Sequence, residues 1–381
     1  MHRMDVRTWA GRMPWSIPLT AITLMLIGWL AIARAENLLG LAGRYVDRQM
    51  VFSGVAAAAM LLVTVVNYRV LMRWAYAIFA ATLLLLVVVY FFPPINYAQR
   101  WIRVGPLSLQ PSELAKVGFV LALARYLMHR ESYRRLPGLL PPMVIALLPI
   151  ALILPEPDLG TSLVFLPVLL AMLFAAGARR IDLVAVVAVG IVLLPVLWLG
   201  MSTEQRSRVT ALFDQPPPGV RPSDDAYHLY QAKRVRAMGG WWGSAIAGEA
   251  TEDRAVYRLP HAHSDFIFSV IGERYGLPGM GMVLALYLFL IGRVLMVAAA
   301  TREPFGRLIA AGVAALFAVE VLINTGMTVG LLPITGLSLP LVSYGGSGLL
   351  AHALAVGLVL NVVQHPSYEV GPEPFRYAVT H

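Results

Sequence analysis

Long apolar runs alternate with short polar breaks along almost the whole chain. The runs occupy 17–33, 50–66, 74–92, 112–128, 139–155, 161–177, 182–200, 277–296, 306–326 and 346–364. A helix needs about 20 mostly apolar residues to cross the hydrocarbon core. In lipid the backbone must satisfy its own polar groups, which restricts apolar runs of this length to helices. The pattern predicts an all-α integral membrane protein with about ten transmembrane helices. No unit of 20–50 residues repeats, and no inverted pair of interrupted helices stands out. One stretch breaks the rhythm. Residues 201–264 hold eight basic and seven acidic side chains plus His228, His261 and His263. An insert of this size in a tight bundle is uncommon and usually functional.

Composition strengthens the membrane reading. Of 381 residues, 58% are hydrophobic and 13% charged, and mean hydropathy is +0.70. Soluble domains carry about 25% charged residues. The net charge of +9 would suggest nucleic acid in a soluble protein. Here the arginines sit in short clusters between apolar runs, as orientation signals do, and no nucleic-acid partner is expected. With no cysteine, disulfides, thiolate metal sites and cysteine nucleophiles are excluded. The run 17–33 exceeds the usual core of a cleaved leader and reads as a retained first span.

With the N-terminus in the cytoplasm, Arg3, Arg7, Arg12, Arg69, Arg73, Arg130, Arg134, Arg135, Arg179, Arg180, Arg293, Arg302, Arg307 and Arg376 fall in short inward segments. Only Arg34, Arg44, Arg48, Arg100 and Arg103 fall in short outward ones. The positive-inside rule then predicts a multi-pass protein of a cytoplasmic membrane, with both termini inside. The chain is one polytopic domain. It carries a long structured extracytoplasmic loop at 201–264, in which 215–219 has the chemistry of a mobile turn, and a cytoplasmic tail at 365–381.

Four polar clusters interrupt the pattern, all on the outward side, where ionisable groups at membrane depth are functional candidates. The first joins Arg100, Trp101 and Arg103 to Gln110, Pro111, Ser112, Glu113 and Lys116. Ser112 has the chemistry of a helix cap, and Glu113 and Lys116 are spaced to pair on one face. Arg100, Arg103 and Lys116 together suit an anionic group such as a diphosphate. The second is Glu156-Pro157-Asp158-Leu159-Gly160-Thr161, where Asp158 is either a cap or a site residue. The third runs from His228 through Gln231, Lys233, Arg236, Trp241 and Trp242 to His261-Ala262-His263-Ser264-Asp265-Phe266. Its tryptophans suit a membrane interface. Ser264 or Asp265 offers a cap for the next helix, and Asp265 is alternatively a functional carboxylate where water meets lipid. The fourth spans Asn324 to Gly348, through Pro333, Thr335, Gly336, Leu339, Pro340, Ser343, Tyr344 and Ser347. Such irregular backbone belongs where it lines a cavity, and its amides suit phosphate oxygens. Glu320 is a further carboxylate, inside a predicted span.

In this order, the motifs resemble those of the SEDS family (shape, elongation, division and sporulation), which includes RodA and FtsW. The matching residues are Arg100-Trp101-Ile102, Gln110-Pro111-Ser112-Glu113 with Lys116, Pro157-Asp158-Leu159-Gly160-Thr161, Gln231-Ala232, His263-Ser264-Asp265-Phe266-Ile267-Phe268, Ile271-Gly272-Glu273, Asn324, Gly330-Leu331-Leu332-Pro333 and Ser343-Tyr344-Gly345-Gly346-Ser347. The resemblance implies a ten-span peptidoglycan glycosyltransferase that polymerises lipid II on the outer face of the membrane. It implies a class B penicillin-binding protein as partner, a lipid-linked substrate, and a divalent cation such as Mg²⁺ or Mn²⁺. It implies Asp265 as the essential aspartate, acting as general base. The expected substrate-binding residues are Arg100, Arg103, Glu113, Lys116, Asp158, Gln231, Lys233, Arg236, His263, Ser343 and Ser347. This chain departs from the family at His261, where glutamate is usual, at Ser264, where threonine is usual, and at Trp241-Trp242-Gly243-Ser244-Ala245, where glycine-lysine-glycine is usual. It departs again at Glu320, where glutamine is common, and at Gly348, where serine is common. Two other classes stay open: an inactive scaffold of the cell-wall machinery and a lipid II transporter.

Overall fold

The computed structural model describes residues 13–40, 43–94, 99–105, 107–129, 136–156, 158–213, 224–251 and 253–365. The basic residues at 3, 7, 12, 130, 134, 135 and 376, the turn at 215–219 and the tail from 366 to 381 lie outside them.

The helices are α1 (Ser16–Leu39), α2 (Arg44–Val65), α3 (Tyr68–Val88), α4 (Pro111–Leu127), α5 (Leu140–Ile153), α6 (Leu159–Ala176), α7 (Arg180–Gly200), α8 (Thr203–Thr210), α9 (Asp224–Met238), α10 (Ser244–Ala247), α11 (Ile267–Ala300), α12 (Pro304–Val329) and α13 (Gly346–Gln364). Among the described residues, seven are long and apolar enough to cross a membrane: α1, α2, α3 with its 3-10 extension to Phe91, α6, α11, α12 and α13. The remaining predicted spans coincide with α4, α5 and α7. Strands β1 (Ile102–Val104) and β2 (Leu107–Leu109) form an antiparallel hairpin with Arg103 opposite Ser108.

The hydrophobic residues divide into two populations. One packs the interior, including Phe119, Phe165, Phe305 and Phe317. The other, with Leu30, Leu62, Leu84, Val192 and Leu288, is exposed on the bundle's flanks. Apolar side chains on both sides of a helix are the mark of lipid as solvent. Helices α4 and α13 are the most enclosed. On α4 even Glu113 and Lys116 are buried. Helix α13 lies against α2, where Gly357 leaves no room for a Cβ: one would stand 2.7 Å from the Met60 carbonyl. Asn361 of α13 donates to the carbonyls of Val63 and Val66, closing the end of α2.

Helix α11 is two helices joined at Gly276, whose φ of 63° and ψ of −156° are non-helical. Pro278 follows and cannot complete the helical ladder. The part after the kink matches the predicted span at 277–296. The part before it, Ile267–Tyr275, continues the polar insert. Trp241 accepts a bond from Leu277 N at 3.1 Å. Gly243 abuts Arg274 and Gly276 so closely that a Cβ would meet backbone at 2.4 Å. The glycine-rich turn after α9 is therefore seated in the kink. Trp241 and Trp242 remain exposed beside it.

Two expectations need correction. Arg34 is not in a connecting segment. Helix α1 continues to Leu39, and Arg34 is buried within it, bonded to Glu273 at 2.6 and 2.9 Å and to Glu249 at 2.9 Å. Its charge serves a buried network rather than membrane orientation. Ser112 does not cap α4. The helix begins one residue earlier, with Gln110 as N-cap and Pro111 in the first turn.

Candidate active site

Five connections converge at one end of the bundle around a cavity of about 480 Å³. They are the hairpin before α4, the turn before α6, Arg208 and His228 of the insert, the turn before α11, and the segment between α12 and α13. Its wall includes Arg100, Trp101, Gln110, Glu113, Asp158 and Asp265.

The turn before α11 presents Asp265. Both Ser264 N and Phe266 N donate to the His261 carbonyl, at 3.1 and 3.3 Å. This tight winding puts His261 at φ 52°. Leu341, on the opposite wall, has φ 65°. Left-handed non-glycine residues concentrate at functional sites, and among the described residues these two are the only ones. The carboxylate of Asp265 faces Gly336, where a Cβ would stand 3.6 Å from Oδ2. Burial raises the Asp265 carboxyl above its usual range, while His261, Ser264, Arg208 and Arg100 pull it back.

Asp158 caps α6. Its Oδ1 accepts from Thr161 N at 3.2 Å and its Oδ2 from the Thr161 hydroxyl at 2.9 Å. Gln110 Nε2 also donates to Oδ2 at 3.2 Å, so the cap joins α6 to the hairpin. Arg100 Nε donates to the Glu156 carbonyl at 2.7 Å. The Glu156 carboxyl is buried with no hydrogen bond from the described residues. Burial and then the Asp158 charge push it up to about 8, against the pull of Arg100.

The segment between α12 and α13 is fixed by serines. Ser343 Oγ donates to the Ser264 carbonyl at 2.5 Å and accepts from Leu339 N at 2.8 Å. Ser347 Oγ accepts from Gln110 N at 2.9 Å and donates to the Ser108 carbonyl at 3.1 Å. Each serine thus ties α13's approach to another wall. Glu113 rises from the floor, with both carboxylate oxygens 2.9 Å from Lys116 Nζ. Lys116 Nζ also bonds Glu320, whose other oxygen is 2.5 Å from His352 Nε2.

The other expected site residues stand elsewhere. Arg103 is exposed on the hairpin. Gln231 is buried and donates to the Val256 carbonyl at 2.5 Å. Lys233 packs on Gly330, and Arg236 reaches the Thr328 carbonyl at 3.2 Å. Burial lowers both basic groups, that of Lys233 with help from Arg236. These three brace α9 against its neighbours rather than line the cavity. His263 stacks on Tyr45 at 4.3 Å and 16°. Burial and nearby His261 lower it to about 4, which leaves it uncharged at neutral pH. Arg208 and His352 carried no sequence signal of their own. One lies on the short α8 of the polar insert and the other on the apolar α13, and only folding brings them to the cavity.

Glu113, Glu320 and His352 place ligand atoms within 4.8 Å of one another, close enough to hold an ion. The donor set does not fit one as it stands. The Lys116 ammonium bonds both carboxylates, so a cation already fills the space between them. Mg²⁺ also prefers an octahedron of oxygens, which a histidine and a lysine-bound pair of carboxylates do not offer.

A family model described as "Cell cycle protein", FTSW_RODA_SPOVE, matches residues 14–368. A probable peptidoglycan glycosyltransferase FtsW of Trichlorobacter lovleyi is 34% identical over 328 residues, covering 84% of this chain and 83% of its own. The peptidoglycan glycosyltransferase MrdB of Escherichia coli K12 is 35% identical over 309 residues, covering 80% and 82%. A chain from a peptidoglycan synthase complex, solved for its coordination of polymerization and crosslinking, superposes with TM-score 0.76 at 30% identity, covering 92% of this chain and 98% of that one. The rod shape determining protein RodA of Thermus thermophilus superposes with TM-score 0.68 at 28% identity, covering 93% and 97%. Sequence motifs, fold and the match over 14–368 agree: this chain belongs to the FtsW, RodA and SpoVE family of multi-pass membrane proteins, the SEDS family.

Proposed function

We propose that this chain is a peptidoglycan glycosyltransferase that polymerises lipid II. The observation that carries the proposal is the Asp265 carboxylate, set in a cavity at one end of the bundle with Arg100 and Arg208 acting on it. A sugar hydroxyl attacks the anomeric carbon of a lipid-linked sugar. The new carbon–oxygen bond forms as the bond to diphosphate breaks, and the diphosphate leaves with the electron pair. Asp265 takes the hydroxyl proton. A carboxyl raised by burial is a stronger base than an exposed one. Arg100 meets the charge developing on the diphosphate, and Glu113 and Lys116 extend the polar floor beneath it. Ser343, Ser347 and Asp158 hold the walls in register. No step is routed through a divalent cation, because among the described residues the Glu113, Glu320 and His352 group that could hold one is already occupied by the Lys116 ammonium.

Ten crossings are part of this reading. The first two turns of α2 and the connections before α4, α6, α11 and α13 all contribute at the cavity end, through contacts such as Tyr45 with His263 and Gln49 with Ser343. That parity follows if α4, α5 and α7 each cross. The arginine pattern then places both termini in the cytoplasm, with the cavity and the 201–264 insert outside. A class B penicillin-binding protein crosslinks the product, as the likeness to a synthase-complex chain supports.

The test is reconstitution of the purified protein with lipid II, alone and with its cognate transpeptidase, followed by separation of glycan chains. Polymer from the wild type and none from Asp265→Ala supports the reading. Equal polymer from both removes Asp265 as base. No polymer under any partner condition overturns the enzyme in favour of a scaffold, and lipid II movement across the bilayer without polymer favours a transporter.

A further inference from the structure

Four ionisable side chains meet in the interior beneath the cavity. Lys116 is 2% exposed, Glu113 5%, Glu320 1% and His352 2%. Lys116 of α4 bonds Glu113 one turn earlier and Glu320 of α12. Glu320 reaches His352 of α13 at 2.5 Å. Phe317 covers the His352 ring edge-on at 5.5 Å. Tyr287 of α11, the further titratable side chain near Glu320, is bonded to the Pro340 carbonyl at 2.5 Å. The network therefore ties together the three helices α4, α12 and α13, and both Glu113 and His352 line the cavity.

Charge arithmetic constrains this group. Two carboxylates and one ammonium sum to −1, and a protonated His352 brings the sum to zero. An unbalanced charge in a low-dielectric interior is far more costly than a balanced one. Lys116 also bonds two carboxylates at once, so its direction is set jointly by Glu113 and Glu320. Glu320 alone would leave the group unbalanced, and His352 alone would have no acid partner.

We propose that Glu320 and His352 are positioning residues: together they hold the Lys116 ammonium as the resident cation of a charge-balanced tetrad, and that ammonium fixes Glu113 at the floor of the cavity. The effect on glycan synthesis rests on the glycosyltransferase reading; the charge balance itself does not.

The experiment compares Glu320→Gln, His352→Gln and the double variant in detergent and in proteoliposomes. His352→Gln leaves two carboxylates against the single Lys116 ammonium, and Glu320→Gln leaves His352 without its acid partner, whereas the double change leaves the neutral Lys116–Glu113 pair. Each single variant is expected to lose about tenfold or more in kcat with KM for lipid II changed less than about threefold. The double variant is expected to recover to within about threefold of wild type. Melting temperature follows the same order, both singles below the double. Additive losses in the double variant, in rate and in melting temperature, would overturn the proposal, since packing alone predicts additivity. If the wild type makes no glycan, the melting series still decides the tetrad. Recovery in melting temperature with additive loss in rate would confine the tetrad to stability and overturn the positioning role.

Discussion

Asn324 donates its side-chain amide to the main-chain carbonyl of Asp265 at 2.9 Å and to that of Leu337 at 2.7 Å. One buried amide on α12 thus joins the turn that presents the proposed base to the segment that faces it. Neither loop can shift without breaking a bond to a side chain that has no other place to go. We expect Asn324→Leu, nearly isosteric but without donors, to lower kcat by about 10²-fold, since small misplacements of a reacting group are costly. Asn324→Asp also loses the amide donors and should fall similarly. Retention of full polymerisation by either variant would show that the turn holds itself.

Asp265 itself should separate activity from stability. Its carboxyl is raised by burial, so its charged form costs folding free energy at neutral pH, whereas an amide of the same shape carries no such cost. Asp265→Asn is expected to lose about 10³-fold or more in polymerisation while melting at or above the wild-type temperature. A thermal scan beside the glycan assay checks both halves. A lower melting temperature would mean that the carboxylate is held mainly as a structural acceptor.

Much of this site was legible because its bonds are local. Asp158 and Thr161 stand three apart and cap α6. Glu113 and Lys116 stand three apart and pair on one face of α4. The predicted span at 277–296 began at the residue after the kink at Gly276. Partnerships across the chain left no such trace. Arg34 resembled an orientation signal because its acid partner Glu273 lies 239 residues away. Glu320 plainly needed a partner, but His352 on another helix had no spacing to point to it. Lys233 and Arg236 carried charge and Gln231 the family pattern, and only packing shows that α9 uses them on the carbonyls and backbone of its neighbours.

Position relative to the cavity should sort the two hairpin arginines. Arg100 reaches the Glu156 carbonyl at 2.7 Å and lines the cavity, while Arg103 is exposed on β1. Replacing Arg100 by alanine is expected to reduce kcat/KM by about 10²-fold. Arg103→Ala should stay within about twofold, because an exposed charge is screened by water and salt. Equal losses at both positions would place the diphosphate across the hairpin rim instead.

His263 should matter as a ring and not as a charge. It stacks on Tyr45 at 4.3 Å and meets Tyr344 edge-on at 5.4 Å. Its imidazole is lowered to about 4 by burial, then by His261. We expect His263→Phe to keep activity within about threefold and His263→Ala to lose about 0.5–1.5 kcal/mol of stability, the worth of an aromatic pair. The activity profile between pH 6 and 8 should be unchanged in His263→Phe. A shifted profile would show that the imidazole takes part in proton transfer.

Glu156 gives a pH dependence of definite sign. Its folded carboxyl holds a proton up to about 8, above the ordinary 4.5, because of burial and then the neighbouring Asp158 charge. The unfolded chain releases that proton near 4.5. Between these values the folded state binds more protons, so stability falls as pH rises through the window and is greatest below it. Glu156→Gln keeps the shape and removes the titration. The two proteins should therefore melt alike near pH 5, and the variant should be more stable by about 1–3 kcal/mol near pH 8. The measurement is a series of thermal scans from pH 5 to 8.5 in one detergent, plotted as the difference between variant and wild type. A difference that grows with pH supports a neutral, buried Glu156. A flat difference, or one of opposite sign, would mean that Arg100 outweighs burial and that the carboxylate is ionised at the cavity's edge.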